Sequence, residues 1–302
     1  MSAPPILFPS RLALGETIGL VAPASPPDQP EKIGQAVERL EKAGFRVKAG
    51  KHLRERDGYL AGSDEERAAD FNALFADPKV KAVFALRGGY GSCRILPLLD
   101  YATIRANPKP FLGYSDNTAL HQAILEKAGL ITFHGPNAME AFLPENETVC
   151  RKFLMESFDK AVLFSSGVKT TVSGRASGRL IGGNLTCLLR LIGTPYAPDF
   201  RGTILFLEDI NEKAYRVDGL FAHLRLAGIL EQIHGLVLGR FDHTEAEEQK
   251  RIEACLEREA ARMGVPCVSG APIGHFPGQI IVPNGAMAEL DADAGRLCLA
   301  AP

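Results

Sequence analysis

Apolar and polar positions alternate in blocks through the first half of the chain. Thr17 to Ala22 is a short apolar run closed by Pro23, the pattern of a strand buried on both faces. From Glu31 to Lys42, Ile33, Ala36, Val37 and Leu40 recur at helical spacing. Gly44 stops that segment before a short strand at Phe45–Val47. Ser63-Asp64-Glu65-Glu66 is a capping box, which predicts a helix carrying Ala69, Phe71, Leu74 and Phe75 and ending before Pro78. Val80–Leu86, Phe111–Tyr114 and Leu130–Phe133 read as further interior strands, with a helix over Ala119–Lys127. Strands and helices in alternation, with strands this apolar, predict a parallel sheet covered on both faces.

The texture changes after a helix expected over Thr148–Phe158. Val168 to Leu180 mixes Thr, Val, Ser and Gly and reads as linker plus short β structure. Beyond it come a helix after Asn184, a strand at Thr203–Leu207 and a helix over Val217–Leu226. A strand at Leu236–Gly239, a polar-faced helix over Glu245–Arg262 and a hairpin within Ala286–Leu299 complete the chain. The expected fold is therefore α/β, with an N-terminal parallel-sheet α/β sandwich at 1–165. A smaller C-terminal domain containing β structure follows at 166–302.

Composition narrows the function classes. The chain has 302 residues, 46% of them hydrophobic, with a net charge of −2, and its Lys and Arg are spread rather than gathered into a basic face. A nucleic-acid platform is thus disfavoured. No run of about 18 apolar residues predicts a membrane span, and the first residues lack the basic start and apolar core of a signal peptide. The six cysteines are far apart with no C-x-x-C pair, which fits reduced thiols in a cytoplasmic protein. No H-E-x-x-H occurs and no two histidines stand three or four apart, so neither a metal nor another cofactor is expected.

Candidate chemistry centres on Ser115. It follows an apolar strand and precedes a helix, with Gly113 two positions earlier, the arrangement in which a tight turn lifts a hydroxyl above a sheet edge. Asn117 stands where G-x-S-x-G has its second glycine, and from local sequence alone a helix N-cap is the safer reading of the serine. Arg87-Gly88-Gly89-Tyr90-Gly91 follows another strand, where glycine amides can line an anion site or simply make a turn. It is not G-x-G-x-x-G, and Ala22-Pro23-Ala24-Ser25 after the first strand is no glycine loop, so a dinucleotide site is disfavoured. A serine nucleophile needs a base. His275, in the Gly- and Pro-rich loop 270–279, ranks first and His134 second. The strand end at Glu208-Asp209 offers the orienting carboxylate, with Glu212 and Asp218 as further candidates. Asn184 sits in a glycine-rich segment that suits a ligand groove or an interdomain turn.

These segments carry a family resemblance. Gly19-Leu20-Val21-Ala22-Pro23-Ala24-Ser25, Arg87-Gly88-Gly89-Tyr90-Gly91, Gly113-Tyr114-Ser115-Asp116-Asn117-Thr118, Gly178-Arg179-Leu180-Ile181-Gly182-Gly183-Asn184, Leu207-Glu208-Asp209 and Pro272-Ile273-Gly274-His275 occur in the order found in LD-carboxypeptidases. The chain resembles that family of serine peptidases, which includes muramoyl-tetrapeptide carboxypeptidases and relatives that cleave microcin C. The resemblance implies a homodimer with a Ser115–Glu208–His275 triad across the domain junction. It also implies backbone N–H groups of Asp116, Gly88 and Gly89 near the oxyanion. The implied reaction releases the terminal D-alanine of cytosolic murein tetrapeptide in peptidoglycan recycling. Arg87 is the expected partner of the substrate's terminal carboxylate. Two other readings stand beside this: a peptidase for microcin C-type aminoacyl-nucleotide conjugates, and a non-enzymatic, two-lobed peptide-binding protein.

Overall fold

A computed structural model describes residues 4–156 and 160–300. The first half runs β1 (Thr17–Val21), α1 (Glu31–Lys42), β2 (Arg46–Ala49), α2 (Asp64–Ala76), β3 (Val80–Ala85), α3 (Tyr101–Ala106), β4 (Phe111–Gly113), α4 (Thr118–Ala128), β5 (Thr132–His134) and α5 (Pro144–Met155). The second runs β6 (Val162–Phe164), β7 (Lys169–Val172), β8 (Arg175–Asn184), α6 (Leu185–Leu189), β9 (Ile204–Ile210), α7 (Ala214–Leu226), β10 (Gly235–Asp242), α8 (Ala246–Met263), β11 (Cys267–Ser269), β12 (Val282–Asn284), β13 (Met287–Asp291) and β14 (Arg296–Leu299). Among the described residues, no helix is long and apolar enough to cross a membrane.

Local sequence explains the elements that were anticipated. α1 buries Ile33, Ala36 and Leu40 on one face. α2 starts on the expected capping box: Ser63 Oγ accepts from Glu66 N at 3.2 Å and Glu66 Oε2 from Ser63 N at 2.9 Å. Two expectations are corrected. α5 begins at Pro144 rather than Thr148, because proline is well suited to a helix's first turn, where its missing N–H is not needed. Its expected end at Phe158 lies outside the described residues. The stretch expected as linker holds the short β7 but also β8, a ten-residue strand in the middle of the second sheet.

The two sheets set the geometry of the site. The first has the order β12-β5-β4-β3-β1-β2, with β1 to β5 parallel. The strand order reverses between β1 and β3, and ligands in open α/β sheets gather beyond the carboxyl ends at such a point. β12, from the C-terminal half, closes its edge antiparallel to β5. The second sheet has the order β6-β14-β13-β8-β9-β10-β11-β7, with a parallel centre of β8 to β11 flanked by antiparallel strands.

A shared core joins the sheets. Phe84, Leu112 and Phe133 of the first pack in one cluster with Phe206, Val237, Ile273 and Ile281. Polar contacts cross as well: Gln122 Nε2 on α4 donates to Gly182 O at 2.7 Å, and Asn184 N donates to Thr118 Oγ1 at 3.0 Å. β8 can lie this close to α4 because residue 183 is glycine: a Cβ there would sit 2.5 Å from Thr118 Oγ1. Within its own sheet, a Cβ on Gly182 would sit 1.7 Å from Phe206 O of neighbouring β9, a backbone atom that cannot step aside. Gly182→Ala is therefore expected to destabilise the protein by about 3 kcal/mol or more, read as a lowered urea midpoint with an unchanged m-value.

Candidate active site

The turn after β4 is held in an unusual shape. Ser115 has φ of 64°, a left-handed conformation that non-glycine residues adopt at a cost of about 1–3 kcal/mol unless the surroundings enforce it. The enforcing group is Asn117, whose side-chain amide donates to Tyr114 O at 3.1 Å, Arg87 O at 3.3 Å and Asn137 Oδ1 at 3.1 Å. It thereby ties together the segments that follow β3, β4 and β5. Gly113 leaves room for it: a Cβ there would stand 3.0 Å from Asn117 Nδ2. Below, the buried His121 ring bonds Gly113 O through Nε2 at 2.7 Å and Thr132 Oγ1 through Nδ1 at 2.8 Å. Burial lowers its pKa to about 4, so it is a neutral strut. Ser115 caps no helix; a 3-10 turn over Ser115–Asn117 has Tyr114 at its N-cap, and α4 follows from Asn117.

The glycine segment after β3 lies over Ser115. A Cβ on Gly88 would fall 2.8 Å from Ser115 Cβ, 3.1 Å from its Oγ and 3.3 Å from Asp116 N. That amide is at the start of the 3-10 turn, where N–H groups have no acceptor within the helix. Gly89 and Gly91, with φ of 117° and 116°, make the turn itself. Gly89 rests against Ser25, whose hydroxyl accepts from Tyr90 N at 3.1 Å. Buried Arg67 fastens both loops, donating through Nη1 to Pro23 O and to Gly91 O. Gly88→Ala is expected to push Ser115 out of place and lower kcat/KM about 100-fold, with the protein still folded by circular dichroism.

Asp116 and Arg87 are both engaged. Asp116 is 1% exposed; its carboxylate accepts from Ser92 N at 2.8 Å and Arg190 Nη1 at 3.2 Å. Burial raises its pKa, against those contacts. Arg190, which the sequence reading passed over, is thus the cation bonded to the residue after Ser115, and it also lies 5.5 Å over the Tyr90 ring. Arg87 instead reaches the loop after β1, donating to Pro26 O at 3.2 Å and Asp28 Oδ1 at 2.9 Å.

The second sheet brings a carboxylate and an imidazole to the same crevice. Consecutive strand residues face opposite ways, so Glu208 and Asp209 diverge at the end of β9. Glu208 is fully buried and its Oε2 lies 2.8 Å from His275 Nδ1. Asp209 turns to the start of α6, accepting from Asn184 Nδ2 at 2.9 Å and from Thr186 N at 3.0 Å and Oγ1 at 2.8 Å. Burial first, and the neighbouring Glu208 charge second, raise its pKa to about 6. Asn184, expected in a ligand groove or an interdomain turn, is the N-cap of α6 and accepts from Cys187 N at 3.1 Å. Its side chain is committed to the cap and to Asp209.

His275 stands on the loop between β11 and β12, with its ring 4.7 Å from the Tyr114 ring, centroid to centroid. The ring thus packs on the residue before Ser115, although among the described residues no hydrogen bond joins Ser115 to it. Burial disfavours the imidazolium, but attraction and hydrogen bonding from Glu208, with help from Asp209 and Glu140, win; the pKa lies above the ordinary 6.5. His134 is different. It is wholly buried, packed edge-on to Phe206, and burial holds its pKa far below 6.5. The sequence reading did not single out Arg67 or Glu140, and it met Asn117 only as a departure from G-x-S-x-G; the importance of all three depends on which distant loops they touch.

Comparison with known proteins identifies the family. Residues 18–135 match the LD-carboxypeptidase N-terminal domain and residues 177–290 the LD-carboxypeptidase C-terminal domain. A probable murein peptide carboxypeptidase of Bacillus subtilis is 39% identical over 291 residues, covering 94% of this chain and 91% of that protein. The structure of muramoyltetrapeptide carboxypeptidase from Oxalobacter formigenes, 32% identical, superposes with a TM-score of 0.82 over 94% of this chain and 97% of the other. The microcin C7 self-immunity protein MccF of Escherichia coli is 30% identical over 324 residues, covering 95% and 94% of the two chains. MccF in complex with aspartyl sulfamoyl adenosine superposes with a TM-score of 0.86 over 98% of this chain and 99% of that one. From the two domain matches and the near full-length likeness, the chain belongs to the LD-carboxypeptidase family of serine peptidases.

Proposed function

We propose that the protein hydrolyses the L,D-peptide bond before a terminal D-alanine in murein tetrapeptide, with Ser115 as nucleophile, His275 as base and Glu208 as its partner. The observation that carries the reading is the left-handed Ser115 held under Gly88, with the Glu208–His275 pair at the same crevice. Because Glu208 takes the Nδ1 side of the ring, Nε2 is the nitrogen left to accept the serine proton. Ser115 Oγ then bonds to the scissile carbonyl carbon, and the N–H groups of Asp116 and the Gly88–Gly89 turn meet the oxyanion. As the C–N bond breaks, His275 returns the proton to the leaving D-alanine nitrogen. Water, deprotonated by the same ring, releases the acyl group from Ser115.

An exopeptidase must hold a free terminal carboxylate, and a guanidinium suits it. Arg87 is one candidate; Arg190, with a single nitrogen engaged on Asp116, is the other. Six free thiols fit a reducing cytosol, where peptidoglycan fragments would be recycled. Assembly as a homodimer, implied by the family resemblance, is part of the same reading.

The higher identity to the murein peptide enzyme, 39% against 30% for MccF, favours murein peptide over an aminoacyl-nucleotide conjugate. The superposition on ligand-bound MccF keeps the conjugate as the second reading. Incubation with murein tetrapeptide, its all-L analogue and an aminoacyl sulfamoyl adenosine, scored by product mass, separates them. Free D-alanine from the first alone is expected. Cleavage of the conjugate alone transfers the function to the second reading, and binding without cleavage of any leaves a peptide-binding protein.

A further inference from the structure

The groups of the proposed triad come from two different sheets. Ser115 stands on the turn after β4, whereas Glu208 ends β9 and His275 lies on the loop between β11 and β12. The Glu208 contact orients the imidazole within the second sheet, and it does not fix the distance from that ring to Ser115. Some contact between the two halves has to set it.

A chain of hydrogen bonds crosses that gap through Asn146. This buried residue is the third of α5. Its Oδ1 accepts from the backbone N–H of Gly278, three residues after His275, at 3.0 Å, and its Nδ2 donates to Glu140 O at 3.0 Å. Glu140 Oε1 in turn accepts from the Tyr114 hydroxyl at 2.9 Å, and Tyr114 precedes Ser115. The chain closes on itself where the Tyr114 and His275 rings pack, 4.7 Å between centroids. One neighbour of Asn146 donates and the other accepts, so neither an apolar residue nor an ionised carboxylate satisfies both.

We propose that Asn146 is a positioning residue for the hydrolysis: by tying Gly278 to the segment that also holds Tyr114, it sets how far the His275 ring stands from Ser115. The assignment rests on the peptidase reading above. Proton transfer from the serine needs the ring nitrogen within about 2.6–3.2 Å, and a misplacement of about 1 Å costs about 100-fold. Asn146 acts on that spacing through the Gly278 backbone and through Glu140. Without the tie, the His275 loop follows the second sheet alone. The loss then falls on acylation and not on substrate affinity.

The test compares the wild type, Asn146→Leu and Asn146→Asp on murein tetrapeptide, on the alkaline plateau of the pH profile so that His275 is neutral in all three. Asn146→Leu keeps the side chain's size and makes neither bond. It is expected to lower kcat about 100-fold while KM changes by less than about threefold. Asn146→Asp keeps the oxygen that accepts from Gly278 N and is expected to recover about tenfold of that loss, the worth of one restored hydrogen bond. Amide hydrogen exchange gives a reading on the wild type that needs no variant to fold. Gly278 is exposed, yet its N–H should be protected by the bond to buried Asn146. An unprotected Gly278 N–H overturns the proposal. So does an unchanged kcat in Asn146→Leu, a raised KM with kcat intact, or an equal loss in both variants, and each leaves the peptidase reading standing. No D-alanine from the wild type overturns both.

Discussion

Ser115→Ala is expected to lose about five to six orders of magnitude in kcat, the scale seen when a triad serine is removed, while the protein stays folded. The variant keeps the left-handed backbone at φ of 64°, so its stability should match the wild type. Ser115→Gly separates strain from chemistry. Glycine adopts this φ without the steric penalty of about 1–3 kcal/mol, though it concedes part of that through a freer unfolded chain. The glycine variant is thus expected to be as inactive as alanine but up to about 1 kcal/mol more stable. Urea unfolding and D-alanine release, measured on the same preparations, check both halves. A less stable glycine variant would mean that the turn is not strained.

Glu208→Gln is expected to lower kcat by about three to four orders of magnitude, as when a triad carboxylate becomes an amide. Glutamine has nearly the same shape, so the loss reports charge and tautomer. The pH profile gives an independent sign. A histidine base acts only when neutral, and in the wild type the Glu208 charge outweighs burial and holds the His275 pKa above 6.5. Wild-type kcat/KM should therefore rise with pH along a limb above that value. In the variant the charge is gone and burial remains, so the limb moves to lower pH. Initial rates between about pH 5 and pH 9 reveal the shift. A limb that stays in place would show that Glu208 does not set the base.

Elements governed by neighbouring residues were legible. The capping box at Ser63 and the apolar face of α1 are local signals, and both elements formed where expected. β8 was not legible, because packing demanded residues that imitate a loop. A Cβ on Gly178 would fall 2.2 Å from Gly202 O, and one on Gly182 is excluded by Phe206 O. Glycines chosen for close approach therefore broke the apolar run of a central strand. β9 was cut short at Leu207 for a related reason. Glu208 and Asp209 continue the strand to Ile210, but their burial is compensated by partners at positions 275, 184 and 186, which the local pattern does not contain.

The residues of the proposed site stand out in the sequence, and the groups that support them do not. A serine at a strand-to-helix turn, a carboxylate at a strand end and a histidine framed by glycine and proline are each visible in a few residues. Asn117 looked like a departure from a familiar elbow, yet it binds three loops through one amide. Arg67, Arg190 and Glu140 lie in unremarkable helical or loop sequence, and only the tertiary fold brings them to the crevice.

The most direct measurement is of the acyl-enzyme. A p-nitrophenyl ester of the same acyl group has a better leaving group than the peptide, so acylation outruns release and the intermediate accumulates. Mixing it with the wild-type protein and quenching in acid should give a burst of nitrophenol equal to the enzyme concentration. The intact mass should rise by the acyl group, and the adduct should map to Ser115. Peptide turnover without a burst, or an adduct on any other residue, would contradict the account.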